Sequence, residues 1–157
     1  MSKTKHQAPQ ASSATTVTVP VQLLNSNATL PTRPHVTDAG WDLYVSKMTR
    51  IPAGGTVKVP TGVAFNIPPG YFGKIYNRSG VSTQRALIIK AGVIDSGYTG
   101  EIMLVVYNHG DMPEVIDVKT KLAQIAFHEV PTVELVQVEK LESTDRADKG
   151  FGHSDNK

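Results

Sequence analysis

Two short stretches of this 157-residue chain combine residue types that suit acid–base work and phosphate binding. In Gly92-Val93-Ile94-Asp95-Ser96-Gly97-Tyr98-Thr99-Gly100-Glu101-Ile102, two glycines bracket a carboxylate and a third precedes a strand-like run. Read as a β-hairpin, this stretch exposes backbone donors and acceptors to which a flat heterocyclic edge can pair. Such a clamp discriminates strongly, because a wrong partner leaves buried polar groups unsatisfied. Asp95 is a candidate general base, provided that a water lies within hydrogen-bond reach; alone, an Asp here reads equally as a turn residue. In Asn77-Arg78-Ser79-Gly80, Arg78 can fork to phosphate oxygens, Ser79 can donate from its hydroxyl, and Gly80 permits close backbone approach. The same tripeptide is also a common surface turn. Gln124 interrupts the otherwise apolar run Leu122 to Phe127, as a solvent-facing strand residue or as a donor to a phosphate. Phe151 is the one large apolar residue from Glu142 to Lys157, and Gly150 and Gly152 flank it.

These residues need rigid elements behind them. The central sequence reads as short strands at Val21–Leu24, Thr56–Val59, Gly62–Ile67, Tyr71–Tyr76, Ala86–Lys90, Ile102–Asn108, Glu114–Val118, Leu122–His128 and Val133–Val138. In Thr56-Val57-Lys58-Val59 apolar and polar residues alternate with a period of two. Ten prolines and 13 glycines punctuate the chain, and only Val81–Arg85 suits a short turn of helix. Many short strands with frequent turns point to a β-sandwich, jelly roll or barrel. Residues 1–16 hold no large apolar side chain beyond Met1 and read as a disordered tail. The partition expected is tail 1–16, β domain 17–141 and a mobile C-terminal arm 142–157.

Composition narrows the chemistry. A net charge of +2 lacks the clustered excess of a polyanion-binding surface, so direct nucleic-acid binding is not expected. The absence of cysteine removes disulfides, thiolate catalysis and Cys-ligated zinc, including the zinc site of nucleobase deaminases. His6, His35, His109 and His128 show no metal-ligand spacing. Gly92-x4-Gly97 is no P-loop, because Tyr98 follows where Lys-Ser/Thr would be needed. No apolar run reaches the length of a membrane span and no apolar leader precedes the domain, so a cytoplasmic or nuclear location is expected, with no membrane partner.

Five stretches in order, spanning residues 38–155, resemble the pattern of the dUTPase family: Asp38-Ala39-Gly40-Trp41-Asp42-Leu43-Tyr44, Asn77-Arg78-Ser79-Gly80, Gly92 to Ile102, Lys121-Leu122-Ala123-Gln124-Ile125, and Arg146-Ala147-Asp148-Lys149-Gly150-Phe151-Gly152. The resemblance implies an all-β, jelly-roll-like sandwich or barrel, assembled as a homotrimer with each site built from three chains. It implies hydrolysis of dUTP to dUMP and pyrophosphate, which limits uracil incorporation into DNA and supplies dUMP for thymidylate synthesis. Gly92, Val93 and Ile94 would clamp uracil and refuse thymine's methyl. Tyr98 would pack under the deoxyribose, where a 2′-hydroxyl would clash. Asp95 would activate the water that attacks the α-phosphorus, while Arg78, Ser79, Gly80 and Gln124 bind phosphate. Asp42 would hold Mg2+ through water, the triphosphate binding the ion directly; the bland alternative is a salt-bridged strand-end carboxylate. Trp41 reads as core. In the closing arm Phe151 would stack on uracil and Arg146 would meet the γ-phosphate, with Gly152, His153 and Ser154 beside them.

The arm departs from the family's Arg-Gly … Gly-Phe-Gly-Ser-Thr-Gly, having Ala147 after the Arg and His153, Ser154 and Asp155 after Gly152. Those departures support an alternative, a dUTPase-like binding or regulatory protein with impaired turnover. A dCTP deaminase is a further rival, but the place where those enzymes resemble one another in carrying Leu-Glu is Leu104-Val105 here.

Overall fold

The computed structural model describes residues 16–144. Ten strands and one short helix follow in order: β1 (Val21–Leu23), β2 (Trp41–Tyr44), β3 (Thr49–Ile51), β4 (Thr56–Phe65), β5 (Tyr71–Asn77), α1 (Ser79–Gln84), β6 (Leu87–Lys90), β7 (Val93–Ile94), β8 (Glu101–Asn108), β9 (Glu114–Ile116) and β10 (Lys121–Glu129). One sheet runs β1-β4-β8-β6, a second β2-β10-β5-β7, and a two-stranded ribbon pairs β3 with β9. All these pairings are antiparallel.

Alternation in the sequence explains which faces meet. In β8, Ile102, Leu104 and Val106 are fully buried, while Met103, Val105 and Tyr107 between them are half-buried. Leu43, Ile75, Leu122 and Ile125 of the second sheet join Val59, Leu87, Ile102, Leu104 and Val106 of the first in one hydrophobic core. That is the all-β sandwich expected. Burying each such Leu, Ile or Val favours folding by about 1.5–3 kcal/mol, so the two sheets hold each other closed.

Four local expectations change. Thr56–Val59 and Gly62–Phe65 belong to one long strand, β4, which ends before Asn66 and Ile67. Its pairing with β8 jumps from Pro60↔Met103 to Ala64↔Glu101, so residues 61–63 face Ile102 alone in a bulge. The expected Gly92–Ile102 hairpin does not form: β7 pairs with β5, whereas β8 pairs with β4 and β6. The stretch is a crossover between sheets. Val133–Val138 forms no strand, because among the described residues it finds no strand partner; Val133, Leu135, Val136 and Val138 stand exposed. Trp41 is not core. It begins β2 and is 36% exposed, with the Arg33 guanidinium 4.8 Å from its ring centre.

The helix turn expected at Val81–Arg85 is α1, one to two residues earlier. Val81 is its buried residue, and Arg85 ties its end to β9 through Glu114 Oε2 and the Val115 carbonyl, both at 3.0 Å. This bracing fixes the residues at its start. Among the described residues no helix is long and apolar enough to cross a membrane.

Candidate active site

Strand register converts distant sequence into neighbours. β10 lies between β2 and β5, with Gln124 opposite Asp42 on one side and Tyr76 on the other. Residues directly opposite share a face, so Gln124 and Asp42 project together on the face away from the core, where Leu43 and Ala123 are buried. A one-residue irregularity between Lys121 and Ala123 turns Lys121 onto that same face, opposite Tyr44. Strict alternation would have sent Lys121 and Gln124 to opposite faces.

The carboxylate of Asp42 is buried and doubly paired. Its Oδ1 lies 2.9 Å from Arg78 Nε and its Oδ2 lies 2.9 Å from Lys121 Nζ. The hydrogen bond to Asp42 raises the Lys121 pKa above its ordinary value, against a smaller effect of burial. Arg78 also donates from Nη1 to the Lys121 carbonyl at 3.0 Å. Asp42, Arg78 and Lys121 together carry one net positive charge, which Asp38 on the wall of the same cleft offsets. Because Arg78 is fixed by both bonds, its remaining N–H groups are aimed without further ordering.

Gln124 is held as firmly. Its Nε2 donates to the Asn77 carbonyl at 3.0 Å, and Asn77 Oδ1 in turn accepts from the Ile89 amide at 2.6 Å. A methyl on Gly40 would collide with the Gln124 side chain, so this glycine makes room for the amide. Arg78, Ser79, Gly80, Val81, Gln84, Gln124, Asp38, Ala39, Gly40, Asp42 and Pro34 line a cleft of about 490 Å³. Ser79 and Gly80 open α1 at its rim, both exposed, and nothing stands within 4 Å of where a Gly80 side chain would begin.

Three of the five stretches thus meet at one cleft. The Gly92–Ile102 crossover contributes none of its lining. There the Gly92 carbonyl accepts from the Ile75 amide at 2.8 Å, and Val93 and Ile94 pair with Lys74 and Gly73. Gly92 has φ +114 and a side chain there would press on Ile75, so only glycine fits. Asp95 is exposed and begins a turn closed by the Tyr98 amide donating to the Asp95 carbonyl at 3.0 Å. Tyr98, 45% exposed, donates its hydroxyl to the Glu101 carbonyl at 2.8 Å. Arg146, Phe151, Gly152, His153 and Ser154 lie outside the described residues.

Lys121, Asn77, Gly40 and Glu101 carry no role in the sequence reading, although each falls in a quoted stretch. Only the register places Lys121 beside Asp42, and only the fold brings Asn77 to Gln124. A glycine two residues before Asp42 was the one visible signal, since a bare backbone next to a polar strand hints at a close approach.

The family model for dUTPase matches residues 26–155, most of the chain and all five stretches. The chain belongs to the dUTPase family. It is 37% identical over 140 residues to the deoxyuridine 5'-triphosphate nucleotidohydrolase of Eremothecium gossypii, covering 88% of this chain and 92% of that one. To the enzyme of that name from Saccharomyces cerevisiae it is 36% identical over 137 residues, covering 87% and 93%. Among solved structures it is similar to the dUTPase of Staphylococcus bacteriophage 80alpha with dUpNHpp, with a TM-score of 0.84 and 32% identity over 88% of this chain and 99% of that one. The dUTPase from phage phi11 of S. aureus superposes with a TM-score of 0.76 at 33% identity, over 81% and 100%; its structure concerns the coordination of a structural Mg(II) ion. The sandwich described above is accordingly a dUTPase fold.

Proposed function

We propose that this dUTPase-family chain hydrolyses dUTP to dUMP and pyrophosphate, with Asp95 as the general base. One observation carries the reading: Asp42, Arg78, Ser79 and Gln124, from three separate stretches, converge on one polar cleft in a chain matched to dUTPases over residues 26–155. Arg78 and Gln124 are fixed donors suited to phosphate oxygens, and Ser79 and Gly80 leave the rim open to them. Asp95 accepts a proton from water as its oxygen attacks the α-phosphorus; the bond to the bridging oxygen then breaks and pyrophosphate leaves. Gly92, Val93 and Ile94 offer uracil a backbone edge, and Tyr98 offers the sugar a flat platform. The arm 142–157 would close over them with Arg146, Phe151, Gly152, His153 and Ser154, excluding water and fixing the triphosphate.

Asp42 suits a magnesium ion held through water. Each oxygen meets one cation yet keeps further acceptor capacity, and magnesium retains several waters while taking few protein carboxylates. Among the described residues no group of three or more His, Asp or Glu could hold a metal unaided, so the phosphates would supply the inner ligands. Bound there, the ion would neutralise and orient the triphosphate.

The same reading asks for more than one copy. Asp95 and Tyr98 stand apart from the cleft that would hold the phosphates, which supports a site completed by another subunit of a homotrimer. Val133, Leu135, Val136, Val138 and Leu141 leave an exposed apolar row on a segment without a strand partner among the described residues, and such rows seek a second surface.

The test is pyrophosphate release from dUTP, dTTP, dCTP and UTP, with and without magnesium. Turnover of dUTP alone is expected, and Asp95→Asn should lose about 10²- to 10⁴-fold in kcat. Ammonia from dCTP would mean a deaminase. Binding of dUTP without turnover would mean a regulatory protein.

A further inference from the structure

Glu101 joins two features that no role yet connects. Its side chain is half-buried, and Oε1 accepts the backbone N–H of Gly62 at 2.8 Å. Gly62 lies inside the β4 bulge, with φ +70, where the strand ladder offers its amide no partner. The neighbouring bulge residue Thr61, almost fully buried, donates its hydroxyl to the Ile102 carbonyl at 2.6 Å. The bulge is thus fastened to the first two residues of β8, and Glu101 supplies the charge-assisted bond of the pair. On its main chain, Glu101 accepts the Tyr98 hydroxyl at 2.8 Å. The ring of Tyr98 is folded over Gly100 so closely that a methyl there would strike its hydroxyl and Cζ. One residue therefore references an exposed aromatic ring to the core sheet.

We infer that Glu101 is a positioning residue that sets substrate discrimination at the sugar, by holding the start of β8 against the β4 bulge and so fixing the Tyr98 ring. The inference rests on the reading of Tyr98 as the platform under the deoxyribose. Without the carboxylate, the Gly62 amide loses its acceptor, the Glu101 carbonyl gains freedom, and the ring it anchors shifts. A ring displaced by even an ångström no longer excludes a 2′-hydroxyl with the same force.

The experiment compares kcat/KM for dUTP and UTP in the full chain and in Glu101→Ala, Glu101→Gln, Tyr98→Phe and Tyr98→Ala, with thermal midpoint and subunit mass measured alongside. Glu101→Ala should lower the dUTP-over-UTP ratio by about ten- to a hundredfold, chiefly by improving UTP relative to dUTP. Glu101→Gln keeps an oxygen facing Gly62 and should recover most of the ratio. Tyr98→Phe removes only the hydroxyl that meets Glu101 and should shift the ratio in the same direction, which keeps the test open should Glu101→Ala fail to fold. An unchanged ratio in folded Glu101→Ala, or in Tyr98→Phe, overturns the inference. An unchanged ratio in Tyr98→Ala overturns instead the reading of Tyr98 on which it rests.

Discussion

Asp42, held from both sides by cations, shows why single residues in this site were only half legible. The salt-bridged reading is what the structure shows, in the ion pairs with Arg78 and Lys121, and the proposed outer contact to a metal would use the acceptor capacity that remains. Gly40 is a sharper case. Its lack of a side chain is what lets Gln124 reach the Asn77 carbonyl. Gly40→Ala should therefore displace the amide and lower kcat/KM for dUTP by about tenfold, on the scale of one or two lost hydrogen bonds. The thermal midpoint should move little, because Gln124 can rotate towards the open cleft. Steady-state kinetics beside a melting curve check this, and parental kinetics would remove Gln124 from the phosphate side.

At the level of elements, the strands were readable wherever one face is buried and the other is not, as in β8 and β5. Breaks in that pattern were not. The β4 bulge at Thr61-Gly62-Val63 reads in the sequence as a gap between two strands, and the irregularity in β10 reverses the face of Lys121 without altering composition. The Gly92–Ile102 stretch has the glycines of a hairpin, yet its two ends feed different sheets, because pairing partners are chosen by the whole sandwich. For the arm, ending the chain after Asp145 should leave the folding transition and the number of chains per assembly unchanged and reduce dUTP turnover by about a hundredfold, since only closure and positioning are lost. Turnover unaffected by that truncation would refute any catalytic part for residues 146–157.

For the molecule as a whole, the proposed phosphate donors line one cleft and the proposed base sits on a crossover outside that lining, which supports the proposed assembly. The exposed row from Val133 to Leu141 is the stretch whose burial would repay association most, since a strand-like segment with Leu135 at 93% exposure gains little from its own subunit. Combining Val133→Asp with Leu135→Asp should lower the mass in sedimentation from three chains to one and abolish dUTP hydrolysis at dilute enzyme, while the circular dichroism of the sandwich persists. A fully active monomer would overturn the shared site.

By itself the sequence determined the all-β class, the family and the stretches that hold chemistry, because alternation, glycine-rich turns and motif order are local properties. It could not determine which stretches share a cleft, that Glu101 and Lys121 have partners, or that Trp41 faces solvent and Val133–Val138 finds no strand partner among the described residues. Those depend on strand register and on bulges that shift it, and register is fixed only when two sheets close on one core.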